Sequence, residues 1–248
     1  MLKIIDIGTK FGNGVSEIFI PWGATIVHPH KLGDVQAHLH DVAFVCFGGG
    51  QDVHPSMYGH RNVASQCGDT KSLRDLWEYE VFKMCMKMDK PMFGVCRGSQ
   101  FLCAMAGGAL IQDIGYGHGS DGHILETKDG RKIPMTTTHH QMMWPFILPA
   151  DQYELLAWIP VLQDTTINHS DEEIDRIINK IVGKKRQRNY SYDALHLKIV
   201  IPDKEPEIVW FPKIKALACQ GHPEYYPDLN CESVQYVRDL VEQHLLRR

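Results

Sequence analysis

A short apolar strand that must become a helix within a few residues constrains this chain more than any other feature. Lys90-Pro91-Met92-Phe93 reads as a buried strand entered through a proline, and Ser99 to Met105 resumes at helical spacing. Between them Gly94-Val95-Cys96-Arg97-Gly98 leaves room only for a sharp turn, with a glycine on each side to permit close backbone approach. At a helix N-terminus, unpaired N–H groups and the positive end of the dipole favour a thiolate and can hold an oxyanion. Cys96 is therefore either a nucleophile on a strand-to-helix elbow or a small buried residue in an ordinary βα turn.

The rest of the chain alternates in the same way. Strands are predicted near 2–7, 24–28, 42–47, 91–95, 109–112, 123–127, 153–158, 207–211 and 215–220. A helix begins after Ser72, where Ser72 and Asp75 can cap each other. Its Leu73, Leu76, Trp77, Val81, Met84 and Met88 recur at helical spacing and are predicted to face the core. A last helix should turn Val234, Val237, Val241 and Leu245 inward. The fold class this predicts is α/β, a mostly parallel central sheet flanked by helices, with Asp129-Gly130 marking a small antiparallel addition. Ligands of open α/β sheets bind beyond the carboxyl ends of strands. Cys96 lies at such an end, and so does Gly48-Gly49-Gly50 after Phe47. No G-x-G-x-x-G follows an early strand, which excludes a dinucleotide fingerprint.

Composition narrows the class. At 248 residues the chain can bury one full core, and residues 1–248 are expected to form a single domain. A net charge of −4 gives no electrostatic case for nucleic acid. The opening strand, interrupted by Asp6, is too short and polar for a signal peptide, and no apolar run approaches the roughly 20 residues of a membrane span. Seven cysteines, an odd number scattered through apparent strands and helices, suit free thiols in a reducing compartment, so a cytoplasmic location is expected. Among 14 histidines, His28-Pro29-His30 and His38-Leu39-His40 have i,i+2 spacing. Without a Cys-x-x-Cys or His-Glu-x-x-His nearby, these read as exposed loop histidines, and no metal is expected.

Far downstream, Gln220-Gly221-His222-Pro223-Glu224 follows the apolar run Ile214 to Cys219. In an extended segment His222 and Glu224 share a face, and a carboxylate beside an imidazole fixes its tautomer and stabilises the imidazolium. A lone His-x-Glu is equally a solvated loop histidine. With the elbow it completes a Cys96-His222-Glu224 triad.

These residues resemble a class I glutamine amidotransferase-like family, and most the γ-glutamyl hydrolase (γ-glutamyl-γ-aminobutyrate hydrolase-like) branch. The resemblance extends through Gly49-Gly50-Gln51-Asp52-Val53-His54-Pro55 with Tyr58-Gly59, Arg74-Asp75 with Glu78, and Gly107-Gly108-Ala109-Leu110 with Gln112-Asp113-Ile114. It also takes in His139-His140-Gln141, so the motifs span most of residues 43–224 in the family's order. The resemblance implies a flavodoxin-like fold and hydrolysis of glutamine or a γ-glutamyl amide through a γ-glutamyl thioester, without a cofactor. Cys96, His222 and Glu224 would be catalytic. Gly49 or Gly50 and the Arg97 N–H would form the oxyanion hole, and Gln100, Thr138, His139 and His140 would bind substrate. A subunit delivering ammonia to a separate synthetase is the alternative, a non-catalytic binding or regulatory protein a third, and a homo-oligomer is compatible with each.

The chain departs from the family pattern in three places. Gly221 stands where an aromatic residue usually precedes the histidine, and Thr136-Thr137-Thr138 replaces Val-Asn-Ser. Residues 163–201 form an atypical insertion. In it Asp171-Glu172-Glu173 can begin a helix through Ile174, Ile177, Ile178 and Ile181. Lys184-Lys185-Arg186-Gln187-Arg188 follows as a basic run, either a solvated face or a lid.

Overall fold

The computed structural model describes residues 2–12, 14–62, 64–114, 122–160 and 204–247. The insertion at 163–201, with its predicted helix and basic run, lies outside the described residues.

Eleven strands and four α-helices occur among the described residues. In order they are β1 (Lys3–Asp6), β2 (Thr25–Val27), α1 (Leu32–His38), β3 (Phe44–Phe47), α2 (Leu73–Lys87), β4 (Met92–Val95) and α3 (Arg97–Met105). There follow β5 (Ala109–Ile111), β6 (His123–Thr127), β7 (Lys132–Met135), β8 (Met142–Trp144), β9 (Glu154–Pro160), β10 (Lys204–Phe211), β11 (Ala216–Cys219) and α4 (Glu232–Val241). Nine strands make one sheet in the order β2-β1-β3-β4-β11-β10-β9-β6-β7. From β2 to β11 every pairing is parallel, and from β11 onward every pairing is antiparallel. The Asp129-Gly130 turn closes the β6–β7 hairpin, with Gly130 at φ 87°. β5 and β8 pair separately.

The central strands β3, β4 and β11 are buried at every position, as strands covered on both faces must be. One face packs Phe19, Phe44, Phe93 and the inward side of α4 with the π-helical turn Glu242–Leu246 after it, where Val234, Val237, Val241 and Leu245 are all buried as predicted. The other packs Phe47, Phe101, Val81 and Cys85. Asp6 ends β1 inside the fold, where its carboxylate accepts the N–H groups of Gly8, Val15 and Ser16.

Helix α2 starts where expected, with reciprocal Ser72 and Asp75 caps, but it buries a different face. Leu73 is 84% exposed, Leu76 49% and Met88 40%, which corrects their assignment to the core. Trp77 and Met84 only flank the core, and Val81 alone of the six is fully buried. The inward residues are Arg74, Asp75, Glu78, Val81 and Cys85, a helical stripe that shares only Val81 with the predicted one. The physical reason is the buried Arg97 guanidinium, which requires carboxylate partners that only this face supplies. Among the described residues no helix is long and apolar enough to cross a membrane.

Candidate functional site

The elbow forms because β4 meets α3 at one residue. Cys96 caps α3 with φ 50° and ψ −111°, a region that costs a non-glycine residue about 1–3 kcal/mol. Main-chain bonds hold it there: its N–H donates to the Cys219 carbonyl at 2.8 Å, and its carbonyl accepts Gln100 N–H and Ser99 Oγ. The flanking glycines are required by contact. A Cβ on Gly98 would sit 2.1 Å from the Phe47 carbonyl oxygen, and one on Gly94 would sit 2.6 Å from the Gly98 carbonyl. The side chain of Cys96 is left at the first turn of α3, 7% exposed.

From the end of β11 the chain delivers His222. Its N–H donates to the Thr136 carbonyl at 3.0 Å, and Thr136 Oγ1 donates to its carbonyl at 2.5 Å. Nδ1 of His222 lies 2.7 Å from Glu224 Oε1, while the buried Nε2 has no partner of ordinary hydrogen-bond geometry. Burial opposes a charged imidazole, but interactions with the Cys96 sulfur and with Glu224 outweigh it and raise the His222 pKa to about 10. Tyr225 stacks on the imidazole with centroids 4.2 Å apart and planes 5° from parallel. The glycine loop closes the third side: a Cβ on Gly49 would lie 2.9 Å from His222 Cε1 and 3.7 Å from Cys96 Cβ. Cys96, His222, Glu224 and Gly49 thus converge at the carboxyl ends of β3, β4 and β11, with Arg97 as the first residue of α3.

The other predicted site residues surround this centre. Gly50 is exposed, with φ 130°. Thr138 is exposed, and His140 places Nε2 2.8 Å from Asp52. Gln100 is buried and donates to the Gln141 carbonyl at 3.0 Å, while His139 places Nδ1 2.8 Å from the same carbonyl. Gly221 has a steric reason: a Cβ there would lie 2.2 Å from Met135 Cγ, so methionine fills that space from β7.

Two arrangements escaped sequence reasoning. Glu207 is fully buried on β10 between His123 at 3.4 Å and His139 at 3.6 Å. Burial alone would raise its pKa, yet the two imidazoles hold it down at about 2. An acidic residue immediately before the apolar run Ile208–Phe211 of β10 was its only signal. The second is Tyr225, whose position three residues after His222, on a turn opened by Pro223, is the spacing that stacks two rings.

Comparison with known proteins gives the family and the fold. A model of the Peptidase C26 family matches residues 15–150, and the chain belongs to that family. It is similar to the YvdE homolog of Lactococcus lactis subsp. cremoris, named for its likeness to glutamine amidotransferases. The two are 32% identical over 126 residues, which cover 50% of this chain and 64% of that one. It is also similar to the carbamoyl phosphate synthase small chain of Pyrococcus furiosus, 26% identical over 171 residues, 66% of this chain and 38% of that one. The chain thus spans less than two thirds of the length of these relatives. In fold it resembles a glutamine amidotransferase of Thermotoga maritima, with a TM-score of 0.54, 13% identity, and 98% of this chain and 84% of that one covered. The architecture is class I glutamine amidotransferase-like.

Proposed function

We propose that the chain hydrolyses the γ-amide of glutamine or of a γ-glutamyl amine through a cysteine thioester. The observation that carries this reading is the convergence of Cys96, His222–Glu224 and Gly49 at one strained elbow.

Cys96, as thiolate beside a protonated His222, attacks the γ-carbonyl. The developing oxyanion is stabilised by N–H groups of the glycine loop and of Arg97, at the positive end of α3. His222, with its pKa raised to about 10, is an acid at neutral pH and gives its proton to the leaving nitrogen. The C–N bond breaks, leaving a γ-glutamyl thioester and a free amine or ammonia. Neutral His222 then takes a proton from water, hydroxide adds to the thioester, and collapse expels the Cys96 thiolate with release of glutamate. Glu224 keeps Nδ1 paired throughout, so Nε2 carries the exchanged proton. Exposed Thr138 and half-buried His140 would border the γ-glutamyl group. His139 and Gln100 would brace the segment that carries them.

Supply of ammonia to a separate synthetase is the second reading, supported by the similarity to a carbamoyl phosphate synthase small chain. One experiment separates them: glutamate release from glutamine and a panel of γ-glutamyl amines. Turnover that depends on the amine supports the self-sufficient hydrolase. Slow, glutamine-selective turnover supports the subunit, and no glutamate release from any substrate refutes both.

A further inference from the structure

Two arginines and two carboxylates lie buried beneath the elbow, and the proposed chemistry uses none of their charges. Arg97 donates through Nη2 to Asp75 at 2.6 Å and through Nη1 to Glu78. Arg74 donates through Nε to the other oxygen of Glu78 at 2.7 Å. Its remaining reach is spent on main chain, with Nη2 donating to the Gly48 carbonyl at 2.8 Å. All four side chains are almost completely buried, so they neither meet solvent nor line an opening for substrate.

The Gly48 bond has a geometric consequence. No cis peptide occurs in the described residues, so the Gly48 C=O and the Gly49 N–H point in opposite directions across one rigid plane. Anchoring that carbonyl on Arg74 turns the Gly49 N–H away from α2. Glycine has no Cβ to restrict its dihedrals, so Gly48-Gly49-Gly50 cannot hold this peptide by itself. Gly49 is also the loop residue that packs against both Cys96 and His222. Meanwhile Glu78 joins Arg74 to Arg97, whose own N–H opens α3. One chain of charge-assisted bonds thus runs from the peptide of one proposed oxyanion donor to the residue that carries the other.

We infer that Arg74 and Glu78 are positioning residues that lock the Gly48–Gly49 peptide to the elbow, making the Gly49 N–H and the Arg97 N–H a preset pair of oxyanion donors. This rests on the proposed acyl transfer for its catalytic meaning, but the locking itself does not. It also explains why α2 turns charge inward and leaves Leu73 in solvent.

The test compares Arg74→Met and Arg74→Lys with the wild type in steady-state amide hydrolysis and in alkylation of Cys96 by iodoacetamide. Alkylation displaces iodide at a saturated carbon and needs no oxyanion hole, so it reads the nucleophile alone. Arg74→Met should lower kcat about 10²-fold, the usual scale for a lost oxyanion donor, with KM and alkylation rate within about threefold of wild type. Arg74→Lys keeps the charge but lacks the fork that spans Glu78 and Gly48, and should lower kcat about tenfold or more. It also carries the test if the methionine variant does not fold. Unchanged kcat in a folded variant, or a loss matched by slower alkylation, would overturn the inference. A crystal structure of either variant judges the locking apart from turnover: the Gly48–Gly49 peptide should rotate. An unrotated peptide would overturn the lock even if the wild type hydrolyses no amide, an outcome that by itself refutes only the proposed function.

Discussion

Strands β4 and β11 are parallel neighbours in register from Met92–Ala216 to Val95–Cys219, yet they release the chain in opposite styles. At the end of β4 the backbone is strained at Cys96 and confined by glycines that touch other main chain. At the end of β11 His222 keeps a negative φ of −110° and is fixed by hydrogen bonds to Thr136, by Glu224 and by the ring of Tyr225. In the proposed chemistry the nucleophile must stand at one point relative to the helix N-terminus, which only the main chain can dictate. The base must be aimed and protonated, which side chains can do. A contrast between neighbouring cysteines makes the same point. Burial raises the thiol pKa of Cys219, at the end of β11, well above its ordinary value, and its side chain is wholly enclosed. Cys96, one step beyond the equivalent position on β4, is presented by the elbow.

The sharpest break in this comparison would come from the reactive atoms. Cys96→Ala should abolish amide hydrolysis, by about 10⁴-fold or more, and His222→Ala should cost nearly as much because the two act as a unit. A glutamine-like electrophile should label Cys96 before Cys219 or any other cysteine. Mass spectrometry showing Cys219 labelled first would reverse the assignment of the two strand ends.

Backbone confinement is tested by Gly98→Ala, whose Cβ would collide with the Phe47 carbonyl. A loss of about 3 kcal/mol in urea denaturation is expected, at the upper end for overpacking. Glu224→Gln should lower turnover less than His222→Ala, about 10²-fold, since the carboxylate orients the ring without exchanging the proton. It should also move a pH limb. Because the His222 pKa is raised to about 10, the acid that protonates the leaving nitrogen is present below that pH and lost as pH rises through it. Wild-type kcat/KM should therefore fall near pH 10, and the fall should shift to lower pH in Glu224→Gln. The smallest effect belongs to Thr136→Val, which removes the Thr136 Oγ1 bond to the His222 carbonyl. A cost of about 1 kcal/mol is expected by urea denaturation. A cost as large as that of Gly98→Ala would erase the distinction between the two exits.

Local pattern revealed the nine predicted strands, the Ser72 cap and the inward face of α4, because periodicity and capping are properties of short segments. It also singled out Cys96, His222 and Glu224, which the fold brings together at one elbow. It misread α2 because hydrophobic period alone assigns Leu73 and Leu76 to the core. The deciding partner, Arg97, is separated from Glu78 by 19 positions and meets it only in the folded sheet. β7 was legible only as a hairpin partner, and β8, three residues long, gave too short a pattern. Glu207 escaped for the same reason as Arg97: its imidazole partners come from other segments.

The contact between Gly221 and Met135 bears on how such a site is read. Beside the histidine, the space a side chain at 221 would take is occupied by a methionine reaching in from a strand 86 places earlier. A side chain added at 221 would meet that methionine and also the Thr136 carbonyl oxygen at 2.8 Å, so shrinking residue 135 alone would not admit one. Judged one position at a time, the glycine is an oddity and the methionine an ordinary core residue. Judged by occupied space, the glycine and the methionine are one filling of the volume beside His222.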